Sequence, residues 1–290
     1  MQLMSTVSDP PIVVGVDGSS IALAAVRWAA VDAAHHHVPL HLVYAIGVLG
    51  DFGSGIELAR FDFDSYWQSV HDALDAARAA AVSESAPIGE LDVSTELVDA
   101  PPIPVLRNRS KTARLLVVGT HGLGAISRGL LGSVSTALAR HAACPVAVIP
   151  ETAARSDGPV VVGVDGSPSS VHAVEIAFDQ AAVRGAELIA VHTWSGFLRF
   201  SSPADMQEEG EELLSRSLAG YGEKYPEVSV RRIVVEDRPA ERLLEVGRNA
   251  QLLVVGSHGR GGFAGMTLGS VGQAVLHAAE VPVIIARSAS

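Results

Sequence analysis

The chain is short of several things that would otherwise dominate its chemistry. A single cysteine, Cys144, stands among 290 residues, so no disulfide framework can form within the chain. It precedes Pro145 and an apolar run, which marks a buried structural thiol. Lysine is almost absent: Lys111 and Lys224 are the two in the sequence, and neither lies in a glycine-rich loop. The G-x-x-x-x-G-K-[ST] loop of fast nucleoside triphosphatases is therefore missing. Basic residues number 21 against 32 acidic ones, a net charge of −11, which excludes a surface built to displace counterions from nucleic acid. Trp28, Trp67 and Trp194 are too scattered to form a stacking platform and read as packing residues. No apolar run approaches the roughly 18 residues that a membrane-spanning helix requires. Met1–Pro10 lacks a basic start and an apolar stretch, so a cytoplasmic location is expected.

What is present is present twice. Val13–Ser19 (VVGVDGS) recurs letter for letter at Val161–Ser167, 148 residues later. Leu115–Gly124 (LLVVGTHGLG) recurs at eight of ten positions as Leu252–Gly261 (LLVVGSHGRG), 137 residues later, and LGSV stands at both Leu131–Val134 and Leu268–Val271. A period of this size means a duplicated domain. The division expected is residues 1–150, a polar linker at 151–158 and a second domain at 159–290. Each copy alternates short β-branched runs with helical segments, the pattern of a parallel sheet covered on both faces. The strands predicted are Ile12–Val16, Leu40–Ala45, Val93–Val98, Leu115–Gly119 and Val146–Ile149, then Val160–Val164, Leu188–His192, Val228–Val235, Leu252–Gly256 and Val283–Ala286. The fold class is α/β, two tandem Rossmann-like domains of five parallel strands each. Right-handed crossovers would bring the strand ends that carry Asp17 and Gly119 side by side.

Each copy also carries Gly-x-x-Gly, nine residues, then Gly-Ser: Gly119, Gly122, Gly132 and Ser133, and Gly256, Gly259, Gly269 and Ser270. The loop leaves a strand and enters a helix, so it offers close backbone approach and the unpaired N–H groups of a helix start, which suit a phosphate. The acidic residue after the first strand, Asp17 or Asp165, can accept hydrogen bonds from ribose hydroxyls or a base. Plainer readings stand beside these: the aspartates as turn or cap residues in Asp-Gly-Ser, and the glycine loop as a tight strand-to-helix connection.

With these motifs on the page, the chain resembles the universal stress protein family in its tandem, ATP-binding form with an adenine nucleotide α-hydrolase-like fold, over residues 10 to 288. That resemblance implies ATP as ligand, with Mg2+ carried by its phosphates and no metal held by protein side chains. It implies Gly15, Val16 and Asp17, with Gly163, Val164 and Asp165, at the adenosine side, and Ala45 and Thr193 near adenine. Gly119 and Gly256 would meet ribose. Gly122, Gly132, Ser133 and Val134, and Gly259, Gly269, Ser270 and Val271, would hold phosphates, while Asp99–Pro101 and Asp237–Pro239 are looser matches beside the base. It further implies pairing of the last strands, Val146–Ile149 with Val283–Ala286, a homodimer formed through such strands, and regulatory protein partners.

His121, His258, Arg128 and Arg260 read as solvated loop residues that can reach phosphate. The acidic run at Asp205–Glu212 reads as the start of a helix. His35, His36 and His37 diverge on any regular element and do not make a metal site. The leading reading is an ATP-binding stress or regulatory protein. The alternative is a slow ATPase, or an enzyme that phosphorylates itself at Ser133 or Ser270. Because Ser127–Arg128 is replaced by Ala264–Gly265, the two sites are expected to differ in affinity.

Overall fold

The computed structural model describes residues 9–47, 63–122, 131–151, 157–195, 202–260 and 267–287. In the first half, β1 (Ile12–Val16), α1 (Ser20–His36), β2 (Leu40–Ala45), α2 (Phe63–Ser85), β3 (Val93–Val98), α3 (Pro102–Arg109), β4 (Leu115–Gly119), α4 (Ser133–His141) and β5 (Val146–Ile149) follow in order. In the second, β6 (Val160–Gly163), α5 (Pro168–Arg184), β7 (Leu188–Trp194), α6 (Pro203–Leu218) and the single turn α7 (Tyr221–Lys224) lead to β8 (Val230–Glu236), α8 (Pro239–Gly247), β9 (Leu252–Gly256), α9 (Ser270–Ala278) and β10 (Val283–Ala286).

The ten strands make one sheet in the order β3-β2-β1-β4-β5-β10-β9-β6-β7-β8. Every neighbouring pair is parallel except β5 with β10, where Val283 faces Val148 and Ile285 faces Val146 in antiparallel register. The last strands thus pair within one chain. Both hydrogen-bonding edges of β5 and β10 are occupied, by β4 and β9 on the outer sides, which corrects the expected homodimer through the last strands: no strand edge is left there for a second chain.

Helices cover both faces, as continuous apolar strands require. One apolar layer lies beneath α1, α2, α5 and α6 and runs across both halves, from Val26 and Leu42 to Phe178 and Leu214. The other, with Leu106, Leu138, Leu243 and Val275, lies beneath α3, α4, α8 and α9. Helix starts are chemically marked. Ser19 and Ser167 cap α1 and α5 by accepting from Ala22 N–H and Ser170 N–H. Ser202 and Asp205 form a reciprocal capping box on α6, so the acidic run does open a helix. Cys144 is buried at 5% exposure, and desolvation pushes its thiol up to about 12. No helix among the described residues is long and apolar enough to cross a membrane.

Near the axis relating the halves, α1 and α5 exchange buried polar contacts. Arg184 donates to the carboxylate of Asp32 at 2.9 Å, both side chains under 10% exposed, and its guanidinium lies 5.1 Å from the centre of the Trp28 ring. His36 meets Asp179 at 2.9 Å, and Arg114 binds the same carboxylate oxygen at 2.8 Å. The three consecutive histidines serve different ends: His36 pairs across the halves, His37 closes α1 in the left-handed conformation at φ 53°, and burial with the Arg184 charge lowers the pKa of His35.

Two predictions follow from this interface. Arg184→Met removes the hydrogen-bonded partner of buried Asp32 and leaves His36, 3.7 Å away, as its remaining cationic neighbour; urea denaturation will show a loss of about 3 kcal/mol, the lower end for breaking a buried pair. Burial by itself would lower the His36 pKa, but the hydrogen bond to Asp179 and the charges of Asp32 and Asp179 outweigh it and raise it; Asp179 is lowered, its bonds to His36 and Arg114 outweighing its own burial. The contribution of His36 is therefore complete below the ordinary imidazole value of about 6.5 and lost as pH rises through its raised folded value; that of Asp179 is complete above about 3.9 and lost only as pH falls through its lowered one. The melting-temperature gap between wild type and His36→Gln will be larger near pH 5.5 than near pH 8.5.

Candidate functional site

In each half the chain reverses across the sheet between its first and fourth strands, β1 beside β4 and β6 beside β9. At this switch point the carboxyl ends of the strands open a crevice. Because β5 and β10 are antiparallel, the two crevices lie at opposite edges of the sheet.

The second crevice is a cavity of about 350 Å3, inside the range of small-molecule pockets. The second-half residues singled out in the sequence line it: Gly163, Val164, Asp165, Thr193, Gly256, Gly259, Gly269, Ser270 and Val271. In the first half the equivalents occupy matching strand and helix ends: Gly15 and Val16 close β1, Asp17 follows it, Ala45 ends β2, Gly119 ends β4, and Ser133 and Val134 open α4 behind Gly132. The glycine loop is drawn in by Gly132 N–H donating to Thr120 C=O at 2.7 Å and Gly269 N–H to Ser257 C=O at 2.8 Å. Gly132 and Gly269 are also the cap positions of α4 and α9, with no side-chain acceptor at either. The first-turn amides at Ser133 and Ser270 are therefore not taken by a capping side chain, the arrangement that suits an anion.

Both aspartates work as turn residues, and Asp165 is at the same time a wall of the second crevice. Asp165 accepts from Ser167 N–H at 2.9 Å through one oxygen and from Arg260 N–H at 3.0 Å through the other. Its burial opposes ionisation, but hydrogen bonds from Ser167 and Arg260 outweigh that and lower its pKa. Asp17 accepts from both the amide and the hydroxyl of Ser19, at 3.0 and 2.6 Å. The turn is tight because Gly18 and Gly166 adopt φ of 84° and 76°. Gly259 has to be glycine for another reason: a Cβ there would stand 2.7 Å from the Asp165 carboxylate, and Gly122 approaches Asp17 still more closely.

The residues that sequence reasoning passed over supply the apolar walls and a hydroxyl: Ser170, Val191, Leu243 and Val255. One signal pointed at Leu243, the glycine inside a strand, since a Cβ on Gly163 would sit 3.0 Å from its Cδ1. Pro239 also lines the cavity, as the looser Asp237–Pro239 match suggested. Asp99–Pro101 occupies the corresponding turn before α3. Arg260 and His258 both line the cavity; the His258 ring lies 3.1 Å from the Ser257 hydroxyl and that of His121 3.2 Å from Thr120. Ser127–Arg128, Ala264–Gly265 and the loop glycines Gly124 and Gly261 lie outside the described residues. The halves are not identical at these sites: Ala45 and Ala22 stand where the second half has Thr193 and Ser170. Ser135 donates to Gly119 C=O at 2.8 Å, whereas the matching position in the second half is Gly272, which lines the cavity.

Fold and crevice together define a doubly wound α/β protein carrying its sites at the carboxyl ends of parallel strands. The chain belongs to the Universal stress protein family, which matches residues 10–150 and again 158–287. It is 46% identical over 287 residues to universal stress protein Rv2005c of Mycobacterium tuberculosis (strain ATCC 25618 / H37Rv), covering 95% of this chain and 96% of that one. It is 42% identical over 286 residues to universal stress protein Rv2623 of the same strain, with the same two coverages. The crystal structure of a universal stress protein from Archaeoglobus fulgidus DSM 4304 shares the fold, with a TM-score of 0.68 at 19% identity over 96% of this chain and 98% of that one.

Glycine substitutions separate packing from access. A Cβ on Gly256 would stand 3.0 Å from the Ser169 backbone, whereas the tightest contact of one on Gly163 would be the flexible end of Leu243, with Val255 at an ordinary 3.6 Å. Gly256→Ala will cost about 1–3 kcal/mol in urea denaturation and Gly163→Ala less than about 1.5 kcal/mol.

Proposed function

We propose that the protein is an ATP-binding member of its family, with one nucleotide site in each half, residues 1–150 and 159–290 joined by 151–158, and that it holds ATP as a regulatory ligand. The observation that carries this reading is the lining of the second crevice, which brings the Asp165 carboxylate, the uncapped start of α9 at Gly269 and Ser270, and the apolar side chains of Val191, Leu243 and Val255 to one cavity. That set of surfaces suits ribose, triphosphate and base in one ligand. Gly256 and Thr193 would flank ribose and base, and Gly259, Gly269, Ser270 and Val271 the phosphates. In the first half Asp17, Ala45, Gly119, Gly122, Gly132, Ser133 and Val134 take the same parts.

Magnesium fits as an ion carried by the triphosphate. Among the described residues no cluster of three His, Cys, Asp or Glu side chains is placed to hold a metal, while the Ser270 hydroxyl stands at the phosphate end. With a net charge of −11, the chain repels a free tetra-anion at long range, and the cation offsets part of that repulsion. Fast phosphoryl transfer needs a positioned cation and a group that orients water. Arg260 lines the cavity but neither Lys111 nor Lys224 does, so the lysine that cradles phosphates in fast triphosphatases is missing there, which favours holding over turnover; self-phosphorylation at Ser133 or Ser270 is the enzymatic alternative.

Calorimetric titration of nucleotide-free protein with Mg-ATP tests the reading. The expected result is two sites per chain of unequal, micromolar affinity, about −8 kcal/mol each, weaker response to Mg-GTP, and loss of binding in the Asp17→Ala, Asp165→Ala double variant with its circular dichroism unchanged. No heat at millimolar ATP would overturn it, and stable transfer of a labelled γ-phosphate to the protein would favour the enzyme.

A further inference from the structure

Arg287, one residue beyond β10, ties the two halves at a place that concerns both sites. Its Nε–H donates to Ala142 C=O at 2.8 Å, and its Nη1 donates to Ala139 C=O at 3.0 Å and to Thr267 C=O at 2.9 Å. Ala139 and Ala142 are the C-terminal turn of α4, in the first half. Thr267 lies two residues before Gly269, the cap of α9 at the phosphate end of the second crevice. The guanidinium is half-buried, and its fixed fork holds three carbonyl groups in one arrangement.

The direction of α4 gives this contact its meaning. The helix begins at Ser133, on the phosphate end of the first crevice, and ends against Arg287. Its nine residues span about 14 Å, and the antiparallel pairing of β5 and β10 sets its far end at the edge of the sheet where the second crevice opens. The partial negative charge at a helix C-terminus favours a cation there, as its N-terminus favours an anion. The counterpart of Arg287 after β5 is Pro150, which has no side-chain donor to offer, so that position does not repeat the tie.

Resting on the reading of both crevices as ATP sites, we propose that Arg287 is a positioning residue that couples them, so that ATP bound at one site raises the affinity of the other. Filling the second site fixes the segment from Thr267 to Gly269, which holds the guanidinium against the last turn of α4 and fixes that helix for phosphate at its start. Part of the ordering required by the second event is then complete before it occurs, and by linkage the effect is reciprocal.

The test is calorimetric titration with Mg-ATP of four intact chains: wild type, Arg287→Met, Asp17→Ala, and Asp17→Ala with Arg287→Met. Arg231→Gln, a surface variant that breaks the exposed pair with Glu187, serves as the control. Expected coupling lies at the lower end of the usual range, about fivefold: the second site binds ATP about fivefold more weakly in Asp17→Ala than in the wild-type chain with its first site filled. Arg287→Met abolishes that difference while both sites still bind, and Arg231→Gln preserves it. Independent sites in the wild type, or coupling that survives Arg287→Met, would overturn the inference and leave the nucleotide reading standing. Absence of any binding in the wild type would overturn both.

Discussion

The antiparallel pairing of β5 with β10 is the constraint on which the arrangement depends. It joins two parallel five-stranded sheets into one, lets one apolar layer run continuously beneath helices from both halves, and sends the two crevices to opposite edges. The four residues of each strand are fully covered. The pairing also brings α1 against α5, where Asp32 meets Arg184 and His36 meets Asp179, and brings the end of α4 beside Arg287. Duplication here produces a closed internal pair instead of two beads on a string.

The parts that the sequence made legible are those that obey a local rule. Buried parallel strands read as unbroken β-branched runs, so the first-half strands fall on their predicted bounds, and in the second half the shifts are one or two residues at β6, β7 and β8. The glycine loops and the aspartates were visible because the pattern occurs twice. The interface was not legible, and the reason is physical. Its polar groups lie far apart in sequence, and although the basic residues His36 and Arg184 occupy equivalent positions, their acidic partners and Arg287 are not repeated: Gln180 stands where Asp32 would be copied, Val31 where Asp179 would be, and Pro150 where Arg287 would be. A reading that searches for symmetry passes over residues that act because they break it. The same holds for the strand edges. An exposed last strand invites a second chain, but only the register of β5 against β10 reveals that the second half has already taken that place.

Each aspartate shows why two readings of one residue need not compete. The carboxylate of Asp165 shapes the Asp-Gly-Ser turn through Ser167 and holds the glycine loop through Arg260. Gly259 must lack a side chain for that second contact to exist. Turn, loop and cavity wall form one unit, so the residues that fold the strand ends also set the shape and charge of the crevice. Ser135 and Gly272 show one place where the halves have diverged: a hydroxyl that fastens the end of β4 in one is replaced in the other by a glycine that lines the cavity, with Leu268 close against it.

The account stands on two crevices of the same polarity at opposite edges of one sheet. A crystal structure of the intact chain grown with magnesium and a non-hydrolysable ATP analogue tests it most directly. The account predicts one nucleotide in each half, its triphosphate on the amides at Ser133 or Ser270 and its ribose and base between the aspartate and the second strand of that half. Empty crevices at saturating analogue, or a nucleotide held elsewhere on the chain, would contradict it.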